Sequence, residues 1–342
     1  MTSSNDLATG SANSTSIWLS ILLPVYKVEA YLLDCASSIL QQADAGVEIV
    51  FLDDASPDAC PQLLEDLQRS HPQQIRVLKQ VRNQGISAAR NSLLLAAQGR
   101  YIWFIDSDDV LAPGALSELK RIIDTDAPDL VLCDFQRLRE DGHARSQTEH
   151  IRSFQGPSGT KQFDLNSLLT GLFKTGQWHP WSKIVRRSRW PTTLRFPIGR
   201  LFEDLSLYPR LVLHMRSFYH APRVWLGYRE RPGSALTGLT APQLTDWMTA
   251  LDGYADEIWQ APFAVHADTQ FRIAMFCART FTRAARKLAS FQTPDGLETL
   301  SRWPALWERS SPLSFGELMR NYVKRGYWLR ALQFAYWMRR AQ

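Results

Sequence analysis

Apolar runs of strand length recur through the first 135 residues, and segments with helical spacing separate them. The runs are residues 19–25, 47–52, 75–78, 101–105 and 130–133. Between them, apolar residues recur three or four positions apart, as they do along one face of a helix. Continuous apolar strands alternating with helices are typical of a parallel sheet that is covered on both faces. The pattern therefore predicts an α/β fold with a doubly wound, mainly parallel sheet.

Polar residues follow three of these strands at their carboxyl ends, which is where doubly wound sheets bind ligands. The first strand ends in PVYK (residues 24–27), the second in DDAS (53–56) and the fourth in DSDD (106–109). No GxGxxG follows the first strand, and no GxxxxGK[ST] occurs anywhere in the chain. The sequence therefore argues against a dinucleotide oxidoreductase and against a P-loop nucleotidase.

The acidic cluster after the fourth strand is a candidate metal site. In an extended chain Asp106 and Asp108 project to the same face, where their carboxylates repel each other unless a cation lies between them. Carboxylate oxygens suit Mg²⁺ or Mn²⁺, and such an ion can also hold phosphate oxygens. The alternative is a turn in which Asp109 caps the helix expected near Pro113 and Gly114.

The other two strand ends leave more alternatives open. Asp53 and Asp54 could bind a ligand or form an Asx-type turn before Pro57. Tyr26 could stack on a base or close the core, and its spacing alone favours the core.

Five ordered segments resemble the family 2 glycosyltransferases with the GT-A fold, and in particular bacterial enzymes that build exopolysaccharide, capsule and lipopolysaccharide. The segments are residues 20–26, 38–42, 48–58, 83–91 and 99–109. Weaker similarity continues through residues 181–183, Phe196, 202–205 and 228–234, and it fades after about residue 236.

The resemblance implies a site for a nucleotide-diphospho-sugar, with UDP as the expected nucleotide. Asp106 and Asp108 match the acidic motif that binds a divalent metal, Mn²⁺ or Mg²⁺, on the diphosphate. Asp53 and Asp54 match the acidic pair of which one reads the base. The remaining residues expected to line the nucleotide site are Pro24, Tyr26, Lys27, Gly85 and Arg90.

The resemblance also implies the catalytic residues. Glu203 and Asp204 match a late acidic pair in which the aspartate is the general base, so we assign that role to Asp204. A single base implies direct displacement with inversion at the anomeric carbon and no covalent intermediate. Spacing alone favours another interpretation, in which both residues are the first-turn acids of a helix that runs to about His214.

The sequence departs from the family pattern at two positions. Lys27 stands where asparagine is usual in the family. Ala55 stands where glycine is usual, and because alanine disfavours positive φ, we expect a turn that does not need positive φ at this position. The QxxRW signature of processive membrane synthases is absent, so we expect one sugar to be added per encounter.

Residues 178–183 are candidates for the acceptor side. The aromatic rings of Trp178 and Trp181 could stack on sugar faces, although aromatic residues also build cores. His179 could contact the acceptor or make a structural hydrogen bond. Lys183 could reach the phosphates of a lipid-linked acceptor or lie on a solvated edge.

The charge of the chain is concentrated at its C-terminus. The formal net charge is +5, but residues 318–342 hold six basic residues and no acid, which leaves −1 for the rest. This balance argues against a nucleic-acid-binding surface spread over the fold. The same tail carries six aromatic residues. It is either an interfacial helix on the cytoplasmic face of an anionic membrane or a final helix packed on the core.

The remaining features indicate a cytoplasmic enzyme. Four scattered cysteines are typical of reduced, buried thiols, and residues 1–16 resemble a disordered lead and not a signal peptide. We expect a nucleotide-sugar-binding part at 17–136, an acceptor-side part at 137–237 and a helical region at 238–342. The rival hypotheses are a sugar nucleotidyltransferase and a non-catalytic sugar-nucleotide-binding or scaffold protein.

Overall fold

The computed structural model describes residues 16–139, 149–230, 239–291 and 296–342. These residues contain nine strands in one sheet. The strands are β1 Leu19–Val25, β2 Val47–Asp53, β3 Ile75–Lys79, β4 Tyr101–Phe104, β5 Val110–Leu111, β6 Leu130–Leu138, β7 Lys161–Gln162, β8 Lys183–Arg186 and β9 Phe218–Arg229.

Thirteen α-helices are found in the same residues. They are α1 Glu29–Leu40, α2 Cys60–Ser70, α3 Ile86–Ala96, α4 Ala115–Thr125, α5 Leu165–Thr175, α6 Glu203–Val212, α7 Ala241–Thr249, α8 Tyr254–Trp259, α9 Ala267–Ala289, α10 Gly296–Ser301, α11 Trp303–Ser310, α12 Phe315–Lys324 and α13 Trp328–Arg340.

The sheet is parallel in one half and mixed in the other. Its order is β3-β2-β1-β4-β8-β6-β9-β5, with β7 also paired to β9. The first four strands of this order are parallel. β8 lies between β4 and β6 and runs antiparallel to both. The predicted α/β fold with a doubly wound sheet is confirmed; the parallel pairing that was expected for most of the sheet extends from β3 to β4 and recurs between β6 and β9.

The predicted elements differ from the observed ones mainly at their ends. β4 ends at Phe104, one residue before the end of the apolar run at Ile105, because the chain leaves the sheet there to form the turn that carries the acidic cluster. β6 continues to Leu138, where its outer end pairs with β9. The predicted helical region at 238–342 begins with two short helices, α7 and α8, and Gly253 with φ of +79° begins the second. The predicted N-terminal lead at residues 1–16 lies outside the described residues, except for Ser16. Residues 231–234, the end of the segment with weaker similarity to the family, also lie outside them.

Alternate side chains of the central strands pack on opposite faces of the sheet. Ile21 and Leu23 face α1, α2 and α4, whereas Leu22 faces α3, α5, α6 and the C-terminal helices. The larger core therefore joins the sheet to the helices that follow residue 238. Within it the long helix α9 is surrounded by the fully buried side chains of Trp303, Trp307 and Tyr322.

The C-terminal tail packs on this core with one side only. Phe334 and Trp337 of α13 are buried against it, while Trp328, Leu329, Leu332 and Tyr336 are exposed. Among the described residues, no helix is both long and apolar enough to cross a bilayer.

A buried helical glycine provides a test of this packing. A Cβ on Gly171 of α5 would lie 2.7 Å from the backbone oxygen of Gln155 and would overlap the Phe154 ring. We expect Gly171→Ala to lower the free energy of unfolding by about 1–3 kcal/mol, because overpacking outweighs the better helix propensity of alanine. Urea unfolding followed by circular dichroism measures the change.

Gly316→Ala in α12 is the matched control, since the nearest atom to its Cβ is the Arg320 Nη1 at 3.6 Å. This variant should be neutral or more stable by up to about 1 kcal/mol. Equal effects of the two substitutions would contradict the packing described for α5.

Candidate active site

A cavity of about 550 Å³ lies at the carboxyl end of β4, between the sheet and helices α6 and α9. We call it the strand-end cavity. It brings together predicted residues that are far apart in the sequence. Those lining it are Arg90, Asp106, Asp108, Trp178, His179, Trp181, Glu203 and Asp204.

The acidic turn after β4 is held by several hydrogen bonds. The Asp109 amide donates to the Asp106 carbonyl oxygen at 3.0 Å, and the Ser107 hydroxyl donates to the Pro24 carbonyl oxygen at 2.7 Å. Asp109 is fully buried, and its Oδ1 accepts the Arg229 backbone N–H at 2.9 Å. The proposed helix cap is therefore wrong: α4 starts after Gly114, and Asp109 instead ties the turn to β9.

The carboxylates of this turn repel one another. Burial raises the pKa of Asp109 well above its ordinary value, and the negative charges of Asp108 and Asp106 raise it further. Its Oδ2 is buried and accepts no hydrogen bond from the described residues. Such a group of oxygen donors fits a hard divalent cation.

A metal at this turn would need ligands from a substrate. Among the described residues, no three His, Cys, Asp or Glu side chains cluster closely enough to hold a metal ion alone. Mg²⁺ commonly binds through one or two carboxylates, with phosphates and waters completing the shell. Asp106 and Asp108 therefore fit a metal that is shared with a diphosphate.

Arg90 joins the acidic turn to the late acidic pair. Its Nη2 lies 2.9 Å from the Asp106 Oδ1, and its Nη1 lies 2.5 Å from the Glu203 Oε1. Burial acts to lower the pKa of Arg90, but Asp106 and Glu203 outweigh it and raise that pKa above its usual range. Arg90 thus fixes the distance between the two acidic groups, a role that its predicted place in the nucleotide pocket did not include.

Glu203 and Asp204 stand on the first turn of α6, where the helix dipole favours negative charge. Burial and the neighbouring Asp204 raise the pKa of Glu203, although Arg90 opposes them. Burial also acts to raise the pKa of Asp204, but His179 and the Leu205 amide outweigh it and lower that pKa below its ordinary value. Asp204 is therefore ionised at neutral pH.

His179 belongs to a stack of three rings beside Asp204. Its Nδ1 lies 3.6 Å from the Asp204 Oδ2. Its ring centroid lies 4.3 Å from that of Trp181, and Trp181 also stacks on Tyr228 at 5.1 Å. The Trp181 carbonyl oxygen accepts the Trp103 indole N–H at 2.7 Å, which anchors the stack to β4.

Two other acceptor-side candidates lie deeper in the protein. Trp178 is buried against Phe173 at a ring distance of 4.8 Å. Lys183 is 1% exposed, and its ammonium donates to the carbonyl oxygens of Gln177 and His179 and to the Ser182 hydroxyl at 2.8–3.0 Å. Burial lowers the pKa of Lys183 to about 7. Lys183 therefore supports the loop that carries His179 and does not line the strand-end cavity.

The nucleotide-side candidates after β1 and β2 form a second group. Asp53 accepts the Ser56 N–H, while both carboxylate oxygens of Asp54 accept backbone N–H groups, from Gln84 at 2.7 Å and Gly85 at 2.8 Å. Asp54 therefore holds the loop before α3. Tyr26 is 39% exposed, so the core position that its spacing favoured is wrong.

The turn at Ala55 also differs from expectation. Ala55 has φ of +56° and Lys27 has φ of +54°, so the expected absence of positive φ at Ala55 is wrong. Across this turn the Ser56 N–H donates to the Asp53 Oδ1 at 3.0 Å. A non-glycine residue in this region costs about 1–2 kcal/mol, and such strain often occurs at binding sites.

Several residues of the strand-end cavity carry no local signal in the sequence. Arg279 and Arg283 of α9 line it together with Phe276 and Trp247. Their spacing is that of an ordinary amphipathic helix, and only the tertiary packing brings them to the site.

The comparisons agree with this architecture. The crystal structure of Staphylococcus aureus TarS residues 1–349 with UDP-GlcNAc superposes with a TM-score of 0.68, covering 95% of this chain and 92% of that one at 18% identity. That likeness shows a shared GT-A fold. The model for glycosyl transferase family 2 matches residues 20–188.

Two curated relatives point to the same family. An uncharacterized glycosyltransferase of Bacillus subtilis, EpsJ, is 28% identical over 72% of this chain. The minor teichoic acid biosynthesis protein GgaA of B. subtilis is 35% identical over 29% of it. The aligned part spans 69% of EpsJ and 23% of GgaA. The chain belongs to glycosyltransferase family 2.

The bridge made by Arg90 can be tested by its removal. Arg90→Met leaves Glu203 and Asp106 without their cation in a largely buried position. We expect the free energy of unfolding to fall by about 2–4 kcal/mol. This loss is smaller than that for a fully buried ion pair, because Asp106 is partly exposed. Urea midpoints measure the loss.

Arg69→Met removes an exposed partner of Asp66 and is the control. It should change stability by less than about 1 kcal/mol. An Arg90 variant as stable as this control would show that the bridge does not hold the site together.

Proposed function

We propose that this chain is an inverting, metal-dependent glycosyltransferase acting in bacterial surface polysaccharide synthesis. It moves a sugar from a nucleotide-diphospho-sugar to a hydroxyl of a saccharide or lipid-linked acceptor, one sugar per encounter. The observation that carries the proposal is the strand-end cavity, in which Arg90 links the acidic turn to the helix that bears Asp204. The UDP-GlcNAc bound by TarS supports a UDP-linked donor.

Asp106 and Asp108 would hold the divalent metal, Mn²⁺ or Mg²⁺, which neutralises the diphosphate as it leaves. Arg90 orients the Asp106 carboxylate through its bond to Oδ1. Tyr26 and Lys27, on the exposed turn after β1, would contact the base and a phosphate. Asp53 would read the base from the neighbouring turn, while Gly85 and Pro24 shape the walls.

Asp204 would be the general base. Its carboxylate takes the proton of the acceptor hydroxyl as the hydroxyl oxygen attacks the anomeric carbon from the side opposite the diphosphate. The low pKa of Asp204 keeps it ionised and ready to accept this proton. The ring stack of His179, Trp181 and Tyr228 offers a flat wall for the acceptor sugar beside it.

The same proposal assigns parts of the chain to the two substrates. Residues 17–136 would bind the donor, residues 137–237 the acceptor, and residues 238–342 would close the far wall of the cavity. The enzyme would work in the cytoplasm, with its basic aromatic tail against the inner membrane. The alternative is a non-catalytic sugar-nucleotide-binding or scaffold protein with the same fold.

Two substitutions separate donor binding from base catalysis. Asp108→Ala should abolish metal-dependent hydrolysis of UDP-GlcNAc, because it removes a metal ligand. Asp204→Asn should bind UDP-GlcNAc as the unmodified protein does and should lose at least 100-fold in transfer. Calorimetry and product chromatography provide the two readouts.

Transfer by Asp108→Ala at an undiminished rate would contradict the metal assignment. Weak donor binding by Asp204→Asn would contradict its role as a base. Absence of any turnover by the unmodified protein on a panel of nucleotide sugars would favour the non-catalytic alternative.

The contact between His179 and Asp204 predicts a shift in pH dependence. Transfer requires ionised Asp204, so activity falls as the pH drops through its pKa, which His179 holds low. His179→Gln should raise that pKa and move the acid limb of kcat/KM to higher pH. The exposed His214 offers a matched control, His214→Gln, whose acid limb should stay in place. If the acid limb of kcat/KM stays at the same pH in His179→Gln, His179 does not lower the pKa of Asp204.

A further inference from the structure

The residue that precedes the late acidic pair has an unusual backbone conformation. Phe202, directly before Glu203 and Asp204, has φ of +61° and ψ of 32°, in the left-handed region that residues other than glycine rarely adopt. Phe202 is also the N-cap of α6, and phenylalanine has no side-chain oxygen with which to cap a helix as serine or aspartate does. Local preferences therefore do not fix the start of α6.

Two consecutive residues of α7 contact the chain at this point. The rings of Trp247 and Phe202 are stacked, with centroids 5.2 Å apart and an angle of 13° between their planes. The Asp246 Oδ2 accepts the Leu201 backbone N–H at 3.2 Å. We call these two contacts the α7 clamp. The clamp supplies one apolar and one polar contact to the two residues that lead into α6.

α7 is itself firmly placed in the protein. Leu244 and Met248 are buried in the larger core. Thr240 begins the helix with a capping box that Gln243 closes, which satisfies amides of the first turn. A helix anchored in this way can hold its neighbour in a backbone conformation that the neighbour would not adopt alone.

The clamp lies next to the candidate base. Phe202, Trp247 and Asp204 all line the strand-end cavity. The Asp204 carboxylate is on the first turn of α6, so a rotation of the backbone at Phe202 would move it relative to a substrate in the cavity. Displacement of a reacting group by about 1 Å can lower a rate on the order of 100-fold.

We propose that Trp247 is a positioning residue, which holds the start of α6 through its stack on Phe202 and so directs Asp204 at the attacking oxygen. Asp246 assists by fixing the Leu201 amide. This inference rests on the proposed function and adds a residue that acts through the base. It also gives α7, which lies outside the residues 20–188 that the family model matches, a part in catalysis.

The test is hydrolysis of UDP-GlcNAc by the full chain with Mn²⁺, in which water takes the place of the acceptor. Asp204 accepts a proton from the water, the water oxygen bonds to the anomeric carbon, and UDP leaves with the electron pair of the broken bond. Because no acceptor sugar is present, a lower rate in this assay cannot come from a lost contact to such a sugar.

Trp247→Ala should lower kcat for this hydrolysis by about 10- to 100-fold, because the base is no longer held in place. Its KM and its calorimetric affinity for UDP-GlcNAc should stay within about twofold, since the donor site is unchanged. Trp247→Phe keeps a ring for the stack and should restore kcat to within about threefold of the unmodified protein. A raised KM with an unchanged kcat would show that Trp247 binds the donor, which would overturn the proposal.

Leu244→Ala is the matched control for lost stability. It truncates a fully buried side chain of the same helix that does not line the strand-end cavity. At a temperature where circular dichroism shows all variants folded, its kcat should stay within about twofold of the unmodified protein, although its urea midpoint falls. Equal losses of kcat in Leu244→Ala and Trp247→Ala would mean that a weakened α7 lowers activity in general, and would overturn the proposal.

A double-mutant cycle tests whether Trp247 acts through Phe202. Phe202→Gly permits positive φ but removes the ring on which Trp247 stacks. In this background Trp247→Ala should lower kcat by less than about twofold further, because the coupled contact is already absent. An undiminished loss in that background would show that Trp247 acts by another route.

Amide hydrogen exchange separates failure of this inference from failure of the proposed function. Exchange over residues 200–206 should be about tenfold faster in Trp247→Ala and unchanged in Trp247→Phe. If the unmodified protein hydrolyses UDP-GlcNAc but Trp247→Ala keeps its kcat, only the positioning role fails. If no nucleotide sugar is hydrolysed, the proposed function fails, and faster exchange then shows a clamp that serves the fold alone.

Discussion

The buried guanidinium of Arg90 is the interaction on which the candidate site depends. It bonds to Asp106 at the end of β4 and to Glu203 on α6, residues that are separated by almost one hundred positions in the chain. Because Arg90 comes from α3, three separate elements meet at one cation. Without it, two carboxylates would face each other in a poorly solvated cavity, and their repulsion would push the acidic turn and α6 apart.

The two halves of the sheet carry different groups of candidate residues. Its parallel half, β3-β2-β1-β4, presents the nucleotide-side turns, while the mixed half carries the ring stack. The glycosyltransferase family to which the chain belongs is matched over residues 20–188, so the match covers the parallel half and ends just beyond β8. The helices after residue 238 are packed into the same core and supply α9 as the far wall of the cavity.

The parts of the site that could be predicted from sequence are those set by local patterns. Apolar runs located the first strands, and the acids at their ends lie where a parallel sheet must place them. The pairing of Arg90 with Glu203 could not be predicted, because 113 positions separate the two residues and only tertiary packing brings them together. The positive φ of Ala55 was missed because a non-glycine residue ordinarily prefers negative φ, and nothing local in the sequence marks the exception. Arg279 and Arg283 were missed because their spacing on α9 is that of any solvated helix face.

The position of β8 has a consequence for how such an enzyme can change its acceptor. β8 is hydrogen-bonded to β4 through the pairs Tyr101 with Arg186 and Trp103 with Ile184, and to β6 on its other side. The loop that carries the ring stack is thus attached to the parallel half of the sheet by a short antiparallel seam. A segment with a different loop and the same strand register could replace it while β1 to β4 keep their geometry. Under the proposed function, acceptor preference could therefore diverge by exchange at this seam while β1 to β4 stay unchanged.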